Sequence, residues 1–305
     1  MDGEDLDVRR AAVAALGPYN GAVVVTDPET GRLLSVVNQK LALSSGYQPC
    51  STIKLVTTLA ALEERLIPQS APFRLTSAAQ SGLVYAVAHS TNGYFAALGQ
   101  KLGFDRVVQY AQRFGLGEKA GWNIPEEQAG ALPAAPPRDG GIGKMTSFGS
   151  GISLTPLQLA ALVGAVANGG TLYYLQYPRT PREIERLTPR VKRELGIADW
   201  LDELKQGMRA AVESGTARRA AGATEQPIFG KTGTCTDYGK NAHMGWFGSF
   251  NEVGDRKLVV VVMLTGANGV SGPVASGIAG KLYAELARRN YLVGANGRTY
   301  AAPNS

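Results

Sequence analysis

The chain has only two cysteines and two histidines among its 305 residues. Cys50 and Cys235 lie far apart and form no metal-ligand spacing, and the histidines are well separated, so a metal enzyme is not expected and no cofactor is implied. No apolar run approaches the length of a membrane span. Met1-Asp2-Gly3-Glu4-Asp5 is acidic where a signal peptide would be basic. Two readings follow: a cytoplasmic protein, or one whose export or anchor segment has been trimmed away. There is no basic stripe interleaved with aromatics and no nucleic-acid motif, so nucleic acid is not an expected partner. Internal repeats are absent.

What is present is ordinary for a soluble enzyme. Hydrophobic residues make up 44% and charged ones 18%, far from a disordered composition. The length suffices for one large domain or two lobes around a substantial core. The 38 glycines suggest many tight connections. A net charge of +6 fits an anionic surface such as cell wall or lipid headgroups, although many solvated proteins carry as much.

The most informative stretch is Tyr47-Gln48-Pro49-Cys50-Ser51-Thr52-Ile53-Lys54, continuing to Glu64. Downstream of the proline it reads as a helix with Ile53, Val56, Leu59, Ala60 and Leu62 on an inward face. Pro49 sits just outside, where its missing donor costs little. Ser51 and Lys54, three apart, share a helix face. A serine hydroxyl is a poor nucleophile until a base takes its proton, and a lysine amine can do so once burial lowers its pKa. Ser51 would also occupy the first helical turn, where free N–H groups favour negative charge. Ser-x-x-Lys alone occurs by chance in many helices.

Around this stretch the periodicities alternate. Residues 5–16 read as an amphipathic helix with Leu6, Val13 and Leu16 apolar, ended by Gly17-Pro18. Residues 22–26 and 32–37 form a hairpin turned by Asp27-Pro28-Glu29-Thr30-Gly31. From Ile67 to about Asn168 the chain is mainly helical. One helix opens at His89-Ser90-Thr91-Asn92, another runs from Phe104 to Phe114, and a third is capped by Thr155-Pro156. Residues 117–143 read as irregular. Residues 177–194, rich in arginine and proline, read as a solvated connector or as a patch for an acidic surface. Residues 199–212 are helical. Three strands then follow, at 227–234, 244–250 and 257–264, the last an apolar run typical of a central strand. Residues 273–289 make a closing helix. The pattern predicts an α/β (α+β) fold: an antiparallel sheet flanked by helices, with an inserted all-helical lobe. The expected division is a sheet lobe of about 1–50 and 210–290, a helical lobe of about 51–209, and a loose tail over 291–305.

Three short motifs occur in order: Ser51-Thr52-Ile53-Lys54, Ser90-Thr91-Asn92 and Lys231-Thr232-Gly233. Together they resemble the Ser-x-x-Lys, Ser-x-Asn and Lys-Thr-Gly set of penicillin-binding proteins and serine β-lactamases. Structural readings also exist: a helix cap for Ser90 and Asn92, a strand-edge charge for Lys231. The run from Gly151 to Ala160, Ala167-Asn168-Gly169-Gly170, Val212-Glu213-Ser214-Gly215-Thr216-Ala217 and the first hairpin's turn extend the resemblance to residues 15–290. They point to the transpeptidase module of a high-molecular-weight penicillin-binding protein. The resemblance implies a D,D-transpeptidase acting on D-Ala-D-Ala peptidoglycan stem peptides and inhibited by β-lactams. It implies Ser51 as nucleophile, Lys54 as base and Ser90 as proton relay. Asn92 would hold Lys54 and the substrate amide. Lys231, Thr232, Gly233 and Thr234 would bind the terminal carboxylate, and backbone N–H groups of Ser51 and Thr234 would form the oxyanion hole. An extracytoplasmic location, with a membrane anchor absent from this chain, follows from the same resemblance.

Two features depart from that family. The interval between Ser51 and Ser90 is short, which implies a trimmed helical lobe and a more open cleft. Cys50 stands where these transpeptidases usually have glycine, and Cys235 follows Thr234. At both positions the chain resembles class A carbapenem-hydrolysing β-lactamases, whose cysteines there are bridged. The resemblance implies a Cys50–Cys235 disulfide between the nucleophile's helix and the sheet, worth about 4 kcal/mol if unstrained. Two buried free thiols are the alternative. Strand alternation puts Cys235 on the face of Lys231 and Gly233. The rival functions are a serine β-lactamase and a non-turnover β-lactam or peptidoglycan sensor. No Glu-x-x-Leu-Asn run is present to activate a deacylating water, and Glu126 and Glu127 lie in a context that resembles the transpeptidases.

Overall fold

The computed structural model describes residues 3–67, 82–224, 227–238, 241–253, 256–266 and 269–292. Helix α1 (Leu6–Leu16) leads into the hairpin of β1 (Gly21–Thr26) and β2 (Leu33–Val37), then the short α2 (Gln39–Ala42). A 3-10 turn over Cys50–Ile53 runs directly into α3 (Lys54–Glu63). Next come α4 (Leu83–His89), α5 (Asn92–Leu102), α6 (Phe104–Arg113), β3 (Gly121–Trp122), α7 (Gly141–Phe148) and α8 (Pro156–Asn168). The short pieces β4 (Thr171–Tyr173), β5 (Leu175–Gln176), α9 (Pro181–Glu185) and β6 (Val191–Glu194) follow, and then α10 (Leu201–Glu213). Strands β7 (Ile228–Asp237), β8 (Ala242–Val253) and β9 (Arg256–Gly266) precede α11 (Gly272–Arg288). Part of the interval between Ser51 and Ser90, residues 68–81, and the expected tail from 293 onward lie outside the described residues.

The five long strands pair antiparallel in the order β2-β1-β9-β8-β7. Strand β9 is therefore central, as its unbroken apolar run predicts. Alternate residues go to opposite faces. Val24, Val261, Met263 and Trp246 join the core built with α3 and α8, whereas Val23, Val260, Val262 and Phe247 join the core built with α1 and α11. With both faces covered, the chain is a mixed α/β fold: an antiparallel sheet flanked by helices. Between β2 and β7 the described residues are mainly helical, with β3–β5 and β4–β6 as two minor pairs.

Helix α1 is capped as expected, by the Asp5 carboxylate at the amides of Asp7 and Val8 and by Gly17 at φ 54°. Its buried face is different. Leu6 and Val13 are about half exposed, at 55% and 48%, while Val8, Ala11, Ala12, Ala15 and Leu16 face the core. Small side chains let the helix lie close to α11 and β2, so the alanines and not the larger residues define the contact. Helix α3 is likewise buried all round, from Lys54 to Leu62, where the sequence suggested one inward face.

Helix α8 lies against β1, β8 and β9. Its start is a full capping box: the Thr155 hydroxyl accepts from the Gln158 amide at 3.1 Å, and the Gln158 side chain accepts from the Thr155 amide at 2.9 Å. Both residues are buried, so no water replaces a lost partner. Thr155→Ala is expected to destabilise the protein by about 1–2 kcal/mol, seen as a lower urea midpoint at unchanged slope. An unchanged midpoint would show that the box contributes nothing.

Candidate active site

The segment before Ser51 is fixed from several sides. The Gln48 amide donates to Asp237 Oδ2 at 3.4 Å, its carbonyl accepts from the Trp246 indole at 3.0 Å, and its side-chain amide donates to the Phe148 carbonyl at 2.9 Å. Cys50 and Cys235 form a disulfide with a Cα–Cα distance of 5.5 Å. Cys50 sits at φ 52°, a left-handed conformation that suits glycine far better than cysteine. Gly149 allows the close approach from the other side: a Cβ there would lie 2.3 Å from the Pro49 ring. Ser51 follows in the first turn of the 3-10 helix, whose leading N–H groups have no acceptor within the helix. It is 7% exposed, and its hydroxyl donates to the Ser147 carbonyl at 3.3 Å, not to Lys54.

Lys54 opens α3 one turn on. Its Nζ lies 2.7 Å from the Ser90 carbonyl, 2.9 Å from Ser90 Oγ and 2.7 Å from Asn92 Oδ1, beneath the Phe95 ring. Ser90 is the left-handed C-cap of α4 at φ 57°, and Asn92 is the first residue of α5. The joint between these helices thus turns a carbonyl, a hydroxyl and an amide oxygen onto one amine. Neither Ser90 nor the α5 N-cap Thr91 makes a side-chain capping bond. Lys231 Nζ reaches the same Ser90 Oγ at 2.9 Å and the Thr232 carbonyl at 3.0 Å. Lys231 is fully buried, so it is not a solvent-facing charge even though its strand ends the sheet.

The electrostatics follow from this burial. Desolvation lowers the Lys54 pKa to about 7, and desolvation plus the neighbouring Lys54 charge holds Lys231 well below the usual lysine range. A neutral Lys54 has two N–H donors and one lone pair. The donors match the Ser90 carbonyl and Asn92 Oδ1, and the lone pair faces the Ser90 hydroxyl, whose oxygen can accept from Lys231. One hydroxyl therefore links two amines across the cleft, an arrangement able to pass a proton.

Strand β7 is the edge of the sheet. Lys231, Gly233 and Cys235 share the face toward the Ser51 segment: a Cβ at Gly233 would lie 2.9 Å from the Pro49 carbonyl and 3.2 Å from Cys50 Cβ. Thr232 and Thr234 point the other way. Thr232 Oγ1 pairs with Thr216 Oγ1 at 2.6 Å, and Thr234 Oγ1 accepts from the Gly272 amide at 2.8 Å at the start of α11. The three motifs thus meet at one cleft edge. Glu127 is engaged elsewhere, its buried carboxylate accepting from the Ala120 and Gly121 amides, and Glu126 pairs with Arg179 on the surface. Among the described residues no group of His, Cys, Asp and Glu is placed to hold a metal ion.

Sequence reasoning missed several of these contacts. Thr216 belongs to the Val212–Ala217 stretch noted above, but nothing local announces that its hydroxyl meets Thr232. Helix α7 was not foreseen, yet its last carbonyls receive the Ser51 hydroxyl and the Gln48 side-chain amide. Its glycine-rich start hides any apolar period.

The family profile described as penicillin binding protein transpeptidase domain matches residues 21–284. The chain is 31% identical to the stage V sporulation protein D of Bacillus subtilis, over 88% of this chain and 47% of that protein. It is 28% identical to the peptidoglycan D,D-transpeptidase PbpA of Mycolicibacterium smegmatis, over 81% of this chain and 62% of that protein. The chain spans about half the length of the curated relatives it matches. In fold it is similar to Pseudomonas aeruginosa PBP2, crystallised in complex with WCK 5153, at a TM-score of 0.78 and 23% identity, covering 99% of this chain and 78% of that one. The transpeptidase domain of Burkholderia pseudomallei penicillin-binding protein 3 aligns at a TM-score of 0.74 and 20% identity, over 94% and 96% of the two chains.

Proposed function

The chain belongs to the transpeptidase-domain family of penicillin-binding proteins, and from that membership we propose that it is a peptidoglycan D,D-transpeptidase module working through a Ser51 acyl-enzyme. The observation that carries the reading is the Ser90 hydroxyl held between two buried amines, with Ser51 one turn before the first of them.

In this reading the Ser51 hydroxyl leaves Ser147 and attacks the carbonyl of a D-Ala-D-Ala stem peptide, and neutral Lys54 takes its proton. The amides of Ser51 and Thr234 hold the oxyanion of the tetrahedral intermediate. Collapse breaks the peptide bond, and the departing amine takes the Lys54 proton through Ser90 Oγ. Asn92 keeps Lys54 in place and meets the substrate amide. Lys231, Thr232 and Thr234 engage the terminal carboxylate, with Gly233 allowing close approach and Thr216 completing a pair of hydroxyls with Thr232. A second amine then takes the acyl group as a cross-link, or water releases it. A β-lactam enters by the same attack.

Peptidoglycan stem peptides and β-lactams are accordingly the proposed partners, and an extracytoplasmic site of action the proposed location, which a disulfide suits. Among the described residues no helix is long and apolar enough to cross a membrane. The proposed division is a sheet lobe of about 1–50 and 210–290 against a helical lobe of about 51–209. The Cys50–Cys235 bridge is the one observation that favours the β-lactamase reading.

Labelling with a fluorescent penicillin, followed by intact mass over time, separates these readings. A long-lived adduct on Ser51 is expected. Rapid loss of the adduct with turnover would make the protein a β-lactamase, and no adduct at all would overturn the proposal.

A further inference from the structure

The disulfide joins the two residues that flank the proposed oxyanion donors. Cys50 immediately precedes the Ser51 amide, and Cys235 immediately follows the Thr234 amide. The nucleophile comes from a 3-10 turn and Thr234 from the sheet edge, so no shared backbone ladder sets the distance between these two N–H groups. The Cys50 side of the bridge is also held against its conformational preference, at φ 52° and fully buried. Among the described residues, four of the six other non-glycine residues at positive φ are asparagines, which tolerate that region better. The Gln48 contacts with Asp237, Phe148 and Trp246 fix the residue before Pro49, leaving Pro49 and Cys50 as the last link to the nucleophile.

We infer that the Cys50–Cys235 disulfide is the positioning device of the oxyanion hole, so that acylation of Ser51 depends on the redox state of this bridge. The inference rests on the transpeptidase reading and adds to it a redox requirement. The crosslink holds Cys50 left-handed and keeps the Ser51 and Thr234 amides converged on one point. Once it is cut, Cys50 is free to relax and carry the Ser51 amide off that point. Of the groups assigned to the carboxylate, Lys231 is held by Ser90 Oγ and the Thr232 carbonyl and Thr232 by Thr216, and only Thr234 adjoins a cysteine, so binding before the chemical step is largely spared.

The test compares oxidised protein with protein treated with a phosphine, which converts the disulfide to two thiols while taking an oxygen atom from water. A thiol titration establishes the state of each sample. Stopped-flow mixing with a fluorescent penicillin then separates the acylation rate from the preceding binding constant. Reduction is expected to slow acylation by about 10–100-fold, the cost of displacing an oxyanion donor by a fraction of an ångström to one ångström. The binding constant should change by less than about threefold, a split that loss of structure alone would not produce. Cys50→Gly and Cys50→Ala both lack the bridge, but only glycine accepts the left-handed backbone without strain. Cys50→Gly should therefore acylate faster than Cys50→Ala, and Cys50→Ala about 10–100-fold more slowly than the oxidised parent, which carries the test if reduction unfolds the chain; Cys50→Ala acylating at the parent rate would overturn the inference. Equal acylation rates in the two redox states, with both thiols titrating, would overturn the inference alone. Oxidised protein that never acquires an adduct would overturn the functional reading and this inference with it.

Discussion

Ser51→Ala will acquire no covalent penicillin adduct, and its acylation rate will fall by at least about 10⁴-fold relative to the parent protein. The loss is chemical. Ser51 contributes one described side-chain hydrogen bond to the fold, at 3.3 Å to the Ser147 carbonyl, and removing it costs about 1 kcal/mol. The variant should thus fold, keep the disulfide, and retain non-covalent affinity for a carboxylate-bearing β-lactam through Lys231 and the threonine pair. Neighbouring hydroxyls cannot substitute. Thr52 Oγ1 donates to the Pro49 carbonyl at 2.7 Å, and Ser90 Oγ is held between two amines. Intact mass spectrometry after overnight incubation is the readout. An adduct of penicillin mass on Ser51→Ala would place the nucleophile elsewhere and remove the basis of the mechanism.

How much of this was legible beforehand differs between fold and site, for physical reasons. The apolar run of β9 could be read as a central strand because burial on both faces leaves no polar position. The turn of the first hairpin announced itself through Asp27 and Gly31, which the structure uses as cap and positive-φ residue. Helix α1 was found, but of its three marked apolar residues only Leu16 is buried: alanines carry so weak a hydrophobic signal that Leu6 and Val13 stand out in the pattern while facing solvent. At the site, the convergence of the three motifs was legible through their joint resemblance to the set of penicillin-binding proteins and serine β-lactamases, since Ser-x-x-Lys alone occurs by chance in many helices. The direction of the Ser51 hydroxyl was not. It is a single rotamer, set by the end of a helix nearly a hundred residues away, and no local pattern encodes it. The Thr216–Thr232 pair was hidden for the same reason.

Lys54 supplies the second large effect, and its environment fixes the sign of the pH dependence. The wild-type acylation rate should rise between pH 5 and 8 with an inflection at about 7, where the buried amine loses its proton. Only the neutral amine can accept the Ser51 proton. With a pKa of about 7, roughly a tenth of it is neutral at pH 6 and roughly nine-tenths at pH 8, so the rate should climb about tenfold over that interval. Lys54→Met keeps the length of the side chain, removes the base, and should lower acylation by about 10³-fold while flattening the profile. The same depression acts on stability. Above about pH 7 the folded chain holds Lys54 neutral while the unfolded chain still binds its proton, so this residue's contribution rises with pH until the unfolded amine also titrates near 10.4. Below pH 7 both states are charged and the burial cost is at its full value. A lysine that opposes folding at low pH is retained where its neutral form is needed, which is the argument for a base. A wild-type profile flat from pH 5 to 8, or one that Lys54→Met leaves unchanged in shape, would move the base to another group, and Lys231, on the same Ser90 hydroxyl, would be the one to test next.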